Sequence, residues 1–188
     1  YLKYRSLAGL DFPWGWKDPR NTFTLAFWLR LFPNARVIFI ERHGVDVAES
    51  LRERALKTIE KTKRLYALAK SIAWLRLKKG GFCDSPRCLS LKGGFSLWEA
   101  YQRQAQIRLA QVDPAKVLRV RYEELLAEPQ QILKKSASFC GLPVTPNRIG
   151  DIIASINPDR AYSYRRSPEL VGFAEARQRR LQAWGYRP

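Results

Sequence analysis

The sequence predicts an α/β domain built on a parallel sheet, and three observations carry that prediction. Val37-Ile38-Phe39-Ile40 is a run of four apolar residues rich in β-branching, the pattern of a strand buried on both faces. Val117-Leu118-Arg119-Val120-Arg121-Tyr122 is a second short strand signal. Each run passes into a helical pattern, the alternation that defines α/β folds. With 188 residues and 46% hydrophobic content, the chain has enough material for a single domain, 1–188, with its own core.

Tyr1 to Leu10 mix aromatic and basic residues, and no Gly-rich phosphate-cradling loop precedes Trp14. In Trp14-Gly15-Trp16-Lys17-Asp18-Pro19-Arg20, Asp18 and Pro19 end an extended segment. Asn21 or Thr22 can then cap a helix from Phe23 to Phe32, which puts Lys17 at a strand-to-helix junction. After the first strand, Gly44 permits a sharp turn, and Asp46 is expected to N-cap a helix running on through Leu51. A helix starting there sets Ser50 and Arg54 one turn apart on the same face. With Arg42 at the carboxyl end of the strand, where open α/β sheets bind ligands, the three can converge on one anion. The plain alternative is a surface arginine followed by two ordinary helix residues.

Ala55 to Lys79 reads as a long basic helix whose polar face either recruits an acidic substrate or is simply solvated. Gly80-Gly81-Phe82 breaks it, and the turn-rich segment through Pro86 to Gly93-Gly94 is the expected mobile substrate loop. Phe95, Leu97, Trp98, Tyr101, Ala105 and Leu109 recur at helical spacing and are expected in the core. Glu123 and Glu124 open the helix after the second strand, where they favour its dipole and diverge in direction, so they are assigned to structure. A further helix runs to Phe139-Cys140-Gly141. Ser167 is placed to cap one with Pro168 at its first position, and Gly185-Tyr186 stops the last.

A net charge of +17 and a pI near 10.2 call for an anionic partner: a nucleotide, an acidic polymer or nucleic acid. No apolar run reaches the roughly 18–20 residues of a membrane span, and the first residues lack a signal-peptide layout. Three cysteines and one histidine leave metal chemistry thin, so no metal is expected. A Cys83–Cys88 disulfide is allowed but unforced. The odd count favours reduced thiols and a reducing, cytoplasmic setting.

The run Lys17-Asp18-Pro19-Arg20, then Leu31-Phe32-Pro33-Asn34-Ala35-Arg36 and on through Arg42-His43-Gly44 to Ser50, resembles the PAPS-dependent sulfotransferases. The Lys-Asp-Pro and Phe-Pro-Asn-Ala elements are closest to the tyrosylprotein branch and the related bacterial enzymes. The resemblance implies a P-loop NTPase-like, three-layer sulfotransferase fold and transfer of a sulfuryl group from PAPS to a hydroxyl or amine, leaving PAP. It implies that Arg42 and Ser50 hold the 3′-phosphate of the donor with basic Arg54 beside them, and that Lys17 stabilises charge on the departing bridging oxygen. Tyr122, in the phrase "VRYEELLAEP", is expected near the adenosine–phosphate region, and Arg165 and Arg166 on a late loop over the nucleotide. Two departures stand out. The histidine base of the cytosolic branch is replaced by Pro19, and the Lys-Ser-Gly-Thr type loop that wraps the 5′-phosphosulfate is missing. The missing loop implies a C-terminal portion, inactive alone, with its N-terminal strand and loop missing. The rivals are a basic nucleotide- or polyanion-binding module and a P-loop phosphotransferase. Neither a helix-turn-helix, RNA-recognition or zinc-finger pattern nor a Walker-type loop supports them, so no specific nucleic-acid partner is expected.

Overall fold

The computed structural model describes residues 12–68 and 86–188. Two strands, β1 (Val37–Glu41) and β2 (Val117–Arg121), pair in parallel, with Val37 opposite Val117 and Glu41 opposite Arg121. Around them lie α1 (Asn21–Leu31), α2 (Gly44–Leu68), α3 (Leu91–Leu109), α4 (Tyr122–Ala127), α5 (Pro129–Cys140), α6 (Pro146–Ala154), α7 (Pro168–Glu175) and α8 (Gln178–Gln182). The chain is mostly helical with a small parallel sheet.

The core forms where α2 crosses α3. Leu91, Phe95, Trp98, Gln102, Ala105 and Leu109 are buried on α3, a 4-3-4-3-4 spacing that makes one inward stripe. Val45 and Ala48 of α2 meet it, and the tail supplies Tyr164, Leu170, Ala174, Leu181 and Tyr186. Two glycines set the closeness of approach. A Cβ on Gly44 would stand 2.7 Å from the Trp98 ring, and one on Gly94 would stand 3.1 Å from the Ala48 backbone. Gly93 and Gly94 therefore belong to the first turn of α3, capped by the Ser90 hydroxyl at 3.1 Å from the Gly93 N–H, and not to a loop. Pro86–Leu89 is likewise a 3₁₀ turn. The rest of the expected substrate loop, with Cys83 and its pairing to Cys88, lies outside the described residues, as does the helical pattern beyond Leu68.

Several other expectations change. β1 is not buried on both faces: Ile38 is 39% and Ile40 56% exposed, although their partners Leu118 and Val120 on the same face of β2 are buried. The helix expected from Asp46 to Leu51 and the one expected from Ala55 are a single element, α2, which begins two residues before Asp46. α1 also begins early, and its entry is fixed by Asp18, whose carboxylate accepts from the Arg20 backbone N–H at 2.9 Å, instead of by Asn21 or Thr22. Tyr122 starts α4 and does not end β2. Ser167 stands at the N-cap of α7 but its hydroxyl makes no capping bond. Leu97 and Tyr101 are only half-buried, while Gly141 ends α5 as expected, with φ 67° and the Leu142 N–H returning to Ala137 O at 2.9 Å.

Candidate functional site

The carboxyl ends of β1 and β2 lie side by side, and the residues directly after each strand build the site. Arg42 leaves β1 and passes its guanidinium over the Tyr122 ring, 4.9 Å from the centroid. Its Nη2 donates to Arg160 O at 3.2 Å and lies 3.6 Å from the Asp46 carboxylate. Its Nε is buried with no partner among the described residues, which leaves one cationic donor unspent. The backbone here is fixed from two sides: Trp98 Nε1 donates to Arg42 O at 3.1 Å, and Glu123 Oε1 accepts from the His43 N–H at 2.8 Å. Glu123 is thus structural, but through a strand-to-strand tie and not through its helix dipole alone. Burial pushes its carboxyl up, against the His43 N–H bond that lowers it.

His43 and Asp46 bring the tail to this edge. His43 is fully buried, stacked on Tyr164 (4.4 Å, 9°) and edge-on to Tyr186 (5.3 Å). Its Nε2–H donates to Arg187 O at 3.1 Å. Burial holds the imidazole below its ordinary range, and the Arg187 carbonyl opposes that only in part. Asp46, expected as a cap, is instead 1% exposed and accepts from Ser163 Oγ at 2.9 Å and the Tyr164 N–H at 2.8 Å. It fixes the 3₁₀ turn Ser163–Arg166 that carries Arg165 and Arg166. Arg165 packs over the Tyr162 ring at 4.6 Å and donates to the Tyr164 hydroxyl at 3.3 Å, which raises its pKa. Arg166 turns away to Asp159 at 3.0 Å.

Of the residues expected to bind the donor, the structure brings Arg42 and Tyr122 together and sets Arg165 on the turn held by Asp46. Ser50 and Arg54 are exposed on α2, and neither shares a hydrogen bond or ion pair with Arg42 among the described residues. Lys17 is exposed in the segment before α1, tethered by the stacked pair Trp14–Trp16 and the edge contact of Trp16 with Trp28 at 5.0 Å. His43, Asp46 and the tail tyrosines escape sequence reasoning as site residues. The one available signal was a lone histidine directly after a strand-end arginine. Among the described residues no group of side chains is arranged to hold a metal, and no helix is long and apolar enough to cross a membrane.

A parallel strand pair carries a guanidinium and a tyrosine at its carboxyl ends, the edge at which open α/β sheets in general bind ligands. The chain belongs to the sulfotransferase family, whose model matches residues 3–146, and the mostly helical architecture with its small parallel sheet is compatible with that fold. Arg165 and Arg166 lie beyond the matched span. No curated protein and no solved structure matches the chain.

Proposed function

We propose that the protein transfers a sulfuryl group from PAPS to a hydroxyl or amine acceptor, and that Arg42 reads the 3′-phosphate of the donor. The observation that carries the reading is the state of Arg42. It is held by scaffold at the carboxyl end of a parallel strand. Among the described residues its one carboxylate neighbour is 3.6 Å away, and its Nε has no partner. A 3′-phosphate supplies the missing acceptor, and the Tyr122 ring beneath the guanidinium keeps the fork in place. Ser50 adds a hydroxyl and Arg54 a cation from α2 once a ligand draws Arg42 towards them. Arg165 flanks the same edge from the tail, and Arg166 completes the basic turn. Lys17 is assigned to the bridging oxygen, where an ammonium stabilises the charge that develops as the sulfuryl group leaves. A chain of net charge +17 also suits an acidic acceptor.

Calorimetry with PAP, AMP, ATP and an oligonucleotide tests the assignment. A charge-assisted hydrogen bond is worth roughly 1.5–3 kcal/mol. Arg42→Ala should therefore weaken PAP at least about tenfold and leave AMP nearly unchanged. Equal losses for PAP and AMP would reduce Arg42 to a prop of the fold. Oligonucleotide binding stronger than PAP binding would favour a polyanion-binding module.

A further inference from the structure

The inward stripe of α3 has one member of the wrong chemistry. At the position between Trp98 and Ala105, where spacing calls for an apolar side chain, stands Gln102, 6% exposed. Its amide makes no hydrogen bond among the described residues, and its polar atoms are not among the fully buried ones, so they stay open to a ligand or solvent. It lines a cavity of about 410 Å³ against the sheet face that carries Glu41, Arg119 and Arg121, the face opposite Ile38 and Ile40. That volume falls within the range of small-ligand sites.

The walls say what kind of ligand fits. In a chain of charge +17 this cavity is balanced, with Glu41 and Glu124 against Arg119 and Arg121, and Glu41 pairs with Arg119 at 3.4 Å. Arg121 covers the Tyr186 ring at 5.0 Å and donates to Gly185 O at 3.1 Å, so neither guanidinium is held ready for an anion. What faces the space is a set of planar polar groups: the amides of Gln102 and, one turn on, Gln106, with the Glu41–Arg119 pair across from them. Each offers donors and acceptors side by side, which suits adjacent hydroxyls that both give and take hydrogen bonds. Trp184, half-buried and edge-on to Trp98 at 6.2 Å, adds an apolar ring wall. We propose that this cavity binds a neutral polyhydroxylated ring, a sugar unit, with Gln102 as its central hydrogen-bonding residue and Trp184 as its stacking wall. The proposal stands apart from sulfuryl transfer, because binding is measured without donor or turnover.

Saturation-transfer NMR and calorimetry on the intact protein, with glucose and cellobiose as probes and glucose 6-phosphate and inorganic sulfate as charged controls, decide it. Saturable binding of cellobiose is expected, with transfer to its ring C–H protons. Gln102→Leu and Trp184→Ala should each weaken it at least about tenfold, the scale of one lost hydrogen bond or ring contact. Gln106→Leu, at an exposed position, gives the same readout without touching the core, and Thr145→Ala on the N-terminal side of α6 should change nothing. No saturable binding of either neutral sugar would leave a water-filled cavity and overturn the proposal. So would unchanged affinity in both glutamine variants, or tighter binding of glucose 6-phosphate and sulfate than of the neutral sugars.

Discussion

Asp46 shows how one side chain serves two parts of the molecule. Its Oδ1 takes both hydrogen bonds from the tail turn, while Oδ2 has, among the described residues, only the Arg42 guanidinium at 3.6 Å. The two oxygens therefore do separable jobs, one anchoring Ser163 and Tyr164 and the other balancing a cation. Asp46→Ala removes both and leaves the turn's donors and the Arg42 charge unmatched, so it should destabilise by about 3–5 kcal/mol, the range for breaking a buried pair. Asp46→Asn keeps an acceptor at Oδ1 and loses the charge, and should cost about 1–2 kcal/mol. Urea denaturation of both variants checks this. An equal loss in the two would mean that charge balance, and not the anchoring of the turn, is what the carboxylate provides. Arg42 in the asparagine variant is relieved of its carboxylate neighbour, so PAP should bind at least as tightly as before.

At the scale of elements, the closeness of α2 and α3 is set by Gly94 against Ala48. A Cβ at 3.1 Å from helix backbone meets atoms that cannot swing aside. Gly94→Leu should cost at least about 1–3 kcal/mol through overpacking, despite the better helix propensity of leucine. Gly172, inside α7 with nothing within 4 Å of its built Cβ, is the matched control: Gly172→Ala should stabilise by up to about 1 kcal/mol. Thermal melts that ranked the two the other way would refute the packing argument. These contrasts also explain what the sequence made legible. Val37–Ile40, Val117–Tyr122 and the Phe95–Leu109 stripe are local patterns, and they appear as elements within a residue or two. The strand-end arginine followed by a helix was legible for the same reason. The contacts that complete the site were not: Ser163 reaches Asp46 across 117 residues, and Arg187 reaches His43 across 144. Periodicity carries no information about such pairs. Asp46 has the composition of a cap, and only the return of the tail turns it into a buried anchor. Ile38 and Ile40 read as core because an apolar run gives no account of whether another element packs over that face of its strand.

Over the whole molecule, His43 is where the pieces meet. Its backbone is tied to Glu123 after β2, its ring lies among Tyr162, Tyr164 and Tyr186, and its Nε2–H ends on the chain's penultimate residue. That position makes the fold sensitive to pH. Burial depresses the folded-state pKa, and Arg42 and Arg165 nearby lower it further, while Asp46 and the Arg187 carbonyl pull the other way. The unfolded chain therefore binds a proton at about pH 6.5 that the folded chain refuses. Stability is full above that value and is lost as pH falls below it towards the folded pKa, at about 1.4 kcal/mol per pH unit while the states differ by one proton. Glu123 works in the opposite sense, because its raised folded pKa means that acidification towards its unfolded value adds stability. Glu169 and Asp18 are lowered, Glu169 by Arg52 and Asp18 to about 2 by Arg20, so what they contribute is lost only at more acidic pH and leaves the His43 window clear. Denaturation between pH 7.5 and about 5.5 should thus show stability falling as the histidine window is crossed. In His43→Phe, which keeps a ring among the tyrosines but gives up the Arg187 bond, stability at neutral pH should be lower and its dependence on pH flatter. Glu123→Gln should remove the stability that the natural chain gains on acidification towards the unfolded carboxyl value. A His43→Phe protein that lost stability with the same slope as the natural chain would place the titrating group elsewhere, and the tail would then be held to the strand ends by packing alone.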